Sequence, residues 1–260
     1  MNQLFPLLTG FLEWIDPPSK TPRWHPVYAY LVRTTNGRKL LIDTGNPRSL
    51  IGRNRADPWF DSGVSMRPEH DLSHCLDRAN TALQDIDVLI STHFDFDHCG
   101  NHKLFDNWGI VHLVQTALLD TSADQAGQNR ELWDRPGFNV RAVTGDAEIE
   151  KGVWVVSTPG HAAGHQSIMV ELNTGMVVLA IDAMSTLEAL GDGPLPWFAV
   201  DDRSTWLASR ERLLDLVKAN DAALIFGHEP GQLSFQSDPS HSLIVTDELR
   251  QSASPNLNAR

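Results

Sequence analysis

The sequence predicts an α/β fold with a metal site assembled where strands end. Two observations carry that reading. Short apolar runs of β character alternate with stretches of helical period along most of the chain. Four of those runs then lead into segments bearing histidine or aspartate: Ser91-Thr92-His93-Phe94-Asp95-Phe96-Asp97-His98-Cys99-Gly100, Thr158-Pro159-Gly160-His161, Ile181-Asp182 and Phe226-Gly227-His228. Strand ends that give way to loops are where α/β proteins commonly build sites.

The elements follow in order. Tyr28 to Arg33 and Lys39 to Asp43 read as strands joined by Thr35-Asn36-Gly37-Arg38, whose Asn-Gly is a strong hairpin signal. Asp71 to Leu83 reads as a helix with Leu72, Cys75, Leu76, Ala79 and Leu83 on one face. Asp87 to Thr92 is the strand that delivers the first metal segment, and Ile110 to Val114 is a further strand. Val153 to Ser157, Ser167 to Glu171 and Met176 to Ile181 are consecutive strands, the last two joined by a turn at Asn173-Thr174-Gly175. Ser204 to Ala219 is the clearest helix. Asp202 or Ser204 caps it, Trp206, Leu213, Leu214 and Val217 form its apolar stripe, and Asn220 offers a stop. A strand from Ala222 carries the last histidine.

Two long segments break this rhythm. Asn46 to His70 carries Trp59 and Phe60, and Ala183 to Asp202 carries Trp197 and Phe198. Long loops in compact domains are often functional. These are expected to form lips over the site, the alternative being aromatics packed on the scaffold or at a dimer contact. The polar tail, residues 251–260, is expected to fray.

The first metal segment places four metal-capable side chains, His93, Asp95, Asp97 and His98, within six residues. A strand continuing through them would point His93, Asp95 and Asp97 one way, with His98 arriving from a turn. Imidazole and carboxylate are the ligands of zinc, iron and manganese. A solvated acidic loop is the plain alternative, and the three later segments argue against it. Cys99 adjoins His98, but a small buried side chain beneath the site is the expected role.

These motifs resemble those of the metallo-β-lactamase superfamily, usually His-x-His-x-Asp-His. Within it the chain is most similar to the N-acyl homoserine lactonase family, on Pro26 to Val32, Leu40 to Gly45, Pro159-Gly160-His161 with Gly164-His165-Gln166-Ser167, and Phe226-Gly227-His228-Glu229. The resemblance implies an αββα four-layer sandwich, two mixed sheets face to face with helices outside, in one domain with a core of about residues 26–232. It implies that His93, Asp95 and His161 hold one divalent ion, that Asp97, His98 and His228 hold a second, and that Asp182 bridges them. A hydroxide shared by the two ions would attack a lactone or ester carbonyl, with Asp97 orienting it. His165 and Asp43 are expected to support the ligands from behind. Ser185, Trp197 and Phe198 are the candidate substrate contacts. Zinc is the expected metal.

Two departures touch the chemistry. Asp95 stands where the family has its second histidine, a harder ligand that raises the standing of manganese or iron. Ser185 stands where these lactonases carry a tyrosine three residues after the bridging aspartate. The Asp95 change also leaves open a diiron redox protein on the same fold, although the chain has no room for a flavin-binding domain. A non-lactone metallo-hydrolase is the other alternative.

Composition narrows the partners. The chain has 260 residues and a formal charge of −12, which argues against nucleic acid or an anionic membrane. Its two cysteines make no disulfide framework and suit a reducing compartment, so a cytoplasmic enzyme is expected, as monomer or homodimer. No secretory signal or membrane span is expected. His102 is expected at a surface helix position. His25, His70, His74, His112 and His241 have no marking spacing, and structural or solvent roles are the default.

Overall fold

The computed structural model describes residues 1–15, 20–52, 54–56, 63–120, 129–195, 202–234 and 240–253. Two long strands open the chain, β1 (Gln3–Ile15) and β2 (Pro22–Arg33), antiparallel in register from Gln3↔Arg33 to Ile15↔Pro22 with a bulge between Leu8 and Phe11. Then come β3 (Lys39–Ile42), β4 (Asn54–Ala56), β5 (Gly63–Ser65), helix α1 (Leu72–Arg78) and β6 (Val88–Ile90). A one-turn helix α2 (Phe96–Cys99) precedes β7 (Val111–Gln115), α3 (Thr116–Asp120), α4 (Arg130–Trp133) and β8 (Asn139–Val143). The second half supplies β9 (Ala147–Glu150), β10 (Val153–Ser157), β11 (Gln166–Leu172), β12 (Gly175–Ile181), the long α5 (Arg203–Ala219), β13 (Ala223–Phe226) and α6 (Asp247–Ser252).

The strands form two mixed sheets, one ordered β4-β5-β1-β2-β3-β6-β7-β8 and the other β13-β12-β11-β10-β9. Their facing sides share one apolar layer, in which Leu4, Tyr30, Ile42 and Ile90 meet Val155, Ile168, Leu179 and Ile225. α1 packs Leu72, Cys75 and Leu76 on the outer face of the first sheet. α5 packs Trp206, Leu213, Leu214 and Val217 on the outer face of the second. This is the αββα sandwich the sequence resemblance implied. Each fully buried leucine of these layers contributes roughly 2 kcal/mol of transfer free energy.

Local chemistry explains where the helices stop. The predicted helix to Leu83 ends at Arg78, because Asn80 takes a left-handed φ of 51° and the Thr81 amide reaches back to the Leu76 carbonyl at 2.9 Å. That is a Schellman stop, and Thr81 leaves the helix axis. α5 ends at Ala219 in the same way, with the left-handed residue one past the Asn220 cap: Asp221 has φ 47° and the Ala222 amide meets the Val217 carbonyl. At its start the Asp202 carboxylate accepts the amides of Ser204 and Thr205.

Three expectations change. The strand before the metal segment ends at Ile90, so the segment is a loop followed by α2, and its side chains converge by a helical turn instead of by strand alternation. β1 was not foreseen; it contains Pro6 and a bulge, which blur a two-residue period. The segment Asn46 to His70 is partly ordered in β4, β5 and two short 3₁₀ turns. Trp59, Phe60, Trp197 and Phe198 lie outside the described residues, as does most of the tail. No helix among the described residues is long and apolar enough to cross a membrane.

Gly160 shows how tightly the layers meet beside the site. Its φ is 130°, and a Cβ there would lie 2.4 Å from the Trp206 Cα of α5. Gly160→Ala is therefore expected to cost about 2 kcal/mol or more in the metal-free protein, read by urea denaturation. A loss under about 0.5 kcal/mol would mean that the contact yields without strain.

Candidate metal centre

The seven candidate ligands come from five separate places and meet at one edge of the sandwich. His93 and Asp95 lie in the loop after β6, Asp97 and His98 on α2, His161 after β10, Asp182 after β12 and His228 after β13. Their ligating atoms form three groups, each within 4.8 Å: His93, Asp95 and His161; His93, His98 and Asp182; Asp97, His98 and His228.

Asp182 sits between two halves of this set. Its Oδ2 lies 3.9 Å from His93 Nε2 and 3.6 Å from His161 Nε2. Its Oδ1 lies 3.6 Å from His98 Nε2 and 3.0 Å from His228 Nε2. Asp95 Oδ2 lies 3.3 Å from His161 Nε2 and 3.6 Å from His93 Nε2, with a side chain half open to solvent. Asp97 Oδ2 completes the other half, 3.5 Å from His98 and 3.8 Å from His228.

Hydrogen bonds behind the rings set which nitrogen faces inward. Asp43 Oδ1 accepts the Thr92 amide at 2.8 Å, and its Oδ2 accepts the Thr92 hydroxyl at 2.7 Å and His98 Nδ1 at 2.9 Å. Thr92 spends its only proton on Asp43, so its oxygen accepts from His93 Nδ1 at 3.0 Å. Both histidines thus turn Nε2, not Nδ1, toward the centre. His228 does the same by donating Nδ1–H to the Pro26 carbonyl at 2.9 Å. His165 is fully buried and accepts the Asp182 amide at Nε2, 3.2 Å away, while its Nδ1 meets the Thr158 hydroxyl at 2.9 Å. Burial, aided by His93 and His161, holds His165 well below the usual imidazole range and therefore neutral.

The residues fit a pair of divalent ions. His93 Nε2 and His98 Nε2 are buried without a hydrogen-bond partner among the described residues, and both point at carboxylates. Buried polar atoms normally find partners, so orphaned ring nitrogens aimed at one spot mark a cation position. Backbone geometry agrees: Ile181, a β-branched residue, is held at φ 53° to present Asp182, and a Cβ on Gly227 would come 2.7 Å from Asp182 Oδ1.

Sequence reasoning missed several supports. Thr92 orients His93 and Thr158 orients the supporting His165, and a hydroxyl residue following a strand shortly before a candidate ligand was the available signal. His102 is fully buried, contrary to the expected surface position. Its Nε2 and that of His112 lie 3.1 and 2.8 Å from Ser91 Oγ, behind the metal loop, where Phe138 shields both rings. Cys99 is buried with Sγ toward the Phe94 carbonyl, and burial raises its thiol well above the usual range. Ser185 is half-buried, and its carbonyl accepts the His228 amide at 2.7 Å.

A model of the metallo-beta-lactamase superfamily matches residues 22–228. The chain belongs to the metallo-beta-lactamase superfamily. It is 34% identical over 213 residues to an N-acyl homoserine lactonase of Bacillus cereus, a match covering 78% of this chain and 81% of that one. A solved N-acyl homoserine lactone hydrolase, with the product N-hexanoyl-L-homoserine at its catalytic metal centre, superposes with a TM-score of 0.81 at 28% identity, over 93% of this chain and 98% of that one. AidC, a dizinc quorum-quenching lactonase, shares the fold at 15% identity and a TM-score of 0.65, over 88% of each chain. For this superfamily member, fold and donor set together support two divalent ions.

The charge balance makes loading pH-dependent. Burial alone would lower His98 and His228, but Asp97 and Asp182 outweigh it and hold both above the usual imidazole range. In the metal-free protein both therefore hold a proton more firmly than a free imidazole does, and incoming metal must displace it. Loading at pH 7 is expected to release roughly one to two protons per chain, with affinity rising as pH rises. Calorimetry in two buffers of different ionisation enthalpy measures this. Identical apparent enthalpies would contradict it.

Proposed function

We propose that this protein is a two-metal lactonase acting on N-acyl homoserine lactones or closely related lactones. The observation that carries the reading is Asp182, whose two oxygens face two separate histidine sets. The lactonase relatives, at more than a quarter identity over most of the chain, supply the substrate class.

His93, Asp95 and His161 are assigned to the first ion, Asp97, His98 and His228 to the second, and Asp182 to both. The ions, when bound, supply a nucleophilic hydroxide at neutral pH and polarise the carbonyl. Asp97 is assigned the catalytic role. It is buried between His98 and His228, where burial and then the neighbouring Asp182 raise its carboxyl and the two histidines pull it back, so it can hold and pass a proton. Asp43, Thr92 and His165 keep the ligand rings and the Asp182 backbone in place. We assign zinc as the resident metal. Manganese or iron is the alternative, because the Asp95 carboxylate is harder than the imidazole it replaces. Ser185, Trp197 and Phe198 are proposed substrate contacts. Buried thiols at Cys75 and Cys99 fit a reducing compartment, and we place the enzyme in the cytoplasm as a monomer or homodimer.

Homoserine lactones of several acyl lengths, an aryl lactone and an aryl ester form the first panel, followed by base consumption at constant pH. Lactone opening is expected, lost with chelator and restored by zinc or manganese. His98→Ala and Asp182→Ala should each abolish turnover and lower metal content. Full activity in both would overturn the site assignment, and no lactone opening by the two-metal form would overturn the substrate class. Ser185→Ala should change kcat/KM by less than about tenfold. A hundredfold loss with metal content intact would show that the serine has taken over the role of the family tyrosine.

A further inference from the structure

His228 is a ligand whose ring is explained by the Pro26 bond, while its backbone is held by something the sequence did not mark. β2 carries Trp24-His25-Pro26, and His25 is fully buried. Its imidazole lies flat on the Trp14 indole of β1, ring centroids 3.4 Å apart and planes 6° from parallel. The same indole meets the His228 ring edge-on at 5.5 Å. His25 Nδ1 is 3.3 Å from the His228 carbonyl oxygen. A carbonyl only accepts, so His25 holds its proton on Nδ1 and donates.

The pairing is reciprocal. The side chain of His25 donates to the backbone of His228, and the side chain of His228 donates to the backbone of Pro26 at 2.9 Å. Two adjacent residues of the first sheet thereby clamp the second residue after β13 of the other sheet. The clamp continues into the loop after Asp182: the His228 amide donates to the Ser185 carbonyl at 2.7 Å, the Leu187 amide to Glu229 Oε2 at 2.8 Å, and Arg23 pairs with Glu188 at 3.6 Å.

We propose that His25, seated on Trp14, is a positioning residue for the second metal position, fixing the His228 backbone so that Nε2 faces Asp97 and Asp182. The inference rests on the two-metal reading above. Groups that orient a metal-binding histidine typically change affinity by about ten- to a hundredfold.

Two variants separate the hydrogen bond from the packing. His25→Leu keeps apolar volume on the indole and loses the donor. His25→Asn keeps a donor near the position of Nδ1 and loses the ring. Stepwise cobalt(II) affinity by chelator competition, the visible spectrum of the cobalt protein, and the amide exchange of His228 in the metal-free protein are measured on all three chains. In His25→Leu one cobalt is expected to bind as in the parent and the other about ten- to a hundredfold more weakly, with an altered spectrum. The His228 amide should exchange at least about tenfold faster while metal-free melting stays within a few degrees. His25→Asn should recover most of both losses. Unchanged affinities and exchange in His25→Leu overturn the proposal. So does equal weakening of both sites with a large drop in melting, which would make His25 a packing residue only. A parent that takes up a single cobalt defeats the two-metal reading instead, and the exchange measurement still decides the clamp.

Discussion

Everything at the open edge of this sandwich answers to one constraint: carboxylates brought together out of water repel. Asp97 and Asp182 are almost fully buried, and Asp95 stands beside them. The protein tolerates this crowding by surrounding them with imidazoles aimed inward, and His98 and His228 hold protons more firmly for it. Divalent cations meet the same demand better, since each brings two charges to a site already shaped for them. The charge arrangement, more than any single ligand, makes the centre a cation trap.

Holding such a cluster requires a rigid frame, and the frame is built from backbone placed where it would not go by itself. Asp43 (φ 56°) and Ile181 (φ 53°) both occupy the left-handed region at the ends of β3 and β12. A β-branched residue there is strained by about 1–3 kcal/mol and persists only because its surroundings fix it. Asp43 repays its conformation by accepting three hydrogen bonds that orient Thr92 and His98. Ile181 turns the chain so that Asp182 reaches both halves of the ligand set.

Between the sheets lies an apolar layer, closed by polar contacts at its ends: Asn2 reaches the carbonyls of Lys151 and Gly152 at the far end, and other groups cross at this edge. Gln166 spans it by donating to the Ser91 carbonyl at 2.7 Å, and Gln115 donates to Gln166 at 3.0 Å. The His25 and His228 pair spans it on the β2 side. Buried polar networks of this kind are costly when incomplete and specific when complete. They align the loops of one sheet with those of the other to the tolerance that shared ligands need.

Much of this was legible in the chain. Apart from β1, the central strands of both sheets, the capped helix read from Ser204 and the four ligand-bearing segments follow from local period, capping chemistry and residue type, which depend on neighbours close in sequence; the short strands β4, β5, β8 and β9 did not show. The resemblance extended that reading to the layers. What only tertiary structure decided depends on groups far apart in the chain. His25 had no spacing to mark it until the fold set it, 203 positions away, against His228. His102 looked exposed until Ser91 and His112 closed around it. The metal segment was expected to converge as a strand, and a helical turn does it instead, because Thr44 and Asn101 tie its end to the loop after β3. The sequence by itself determined which side chains can hold metal and which segments of the chain carry them. Burial and cross-sheet hydrogen bonding decided which nitrogen faces the centre, because a donor or acceptor is committed only when its partner arrives from elsewhere in the fold.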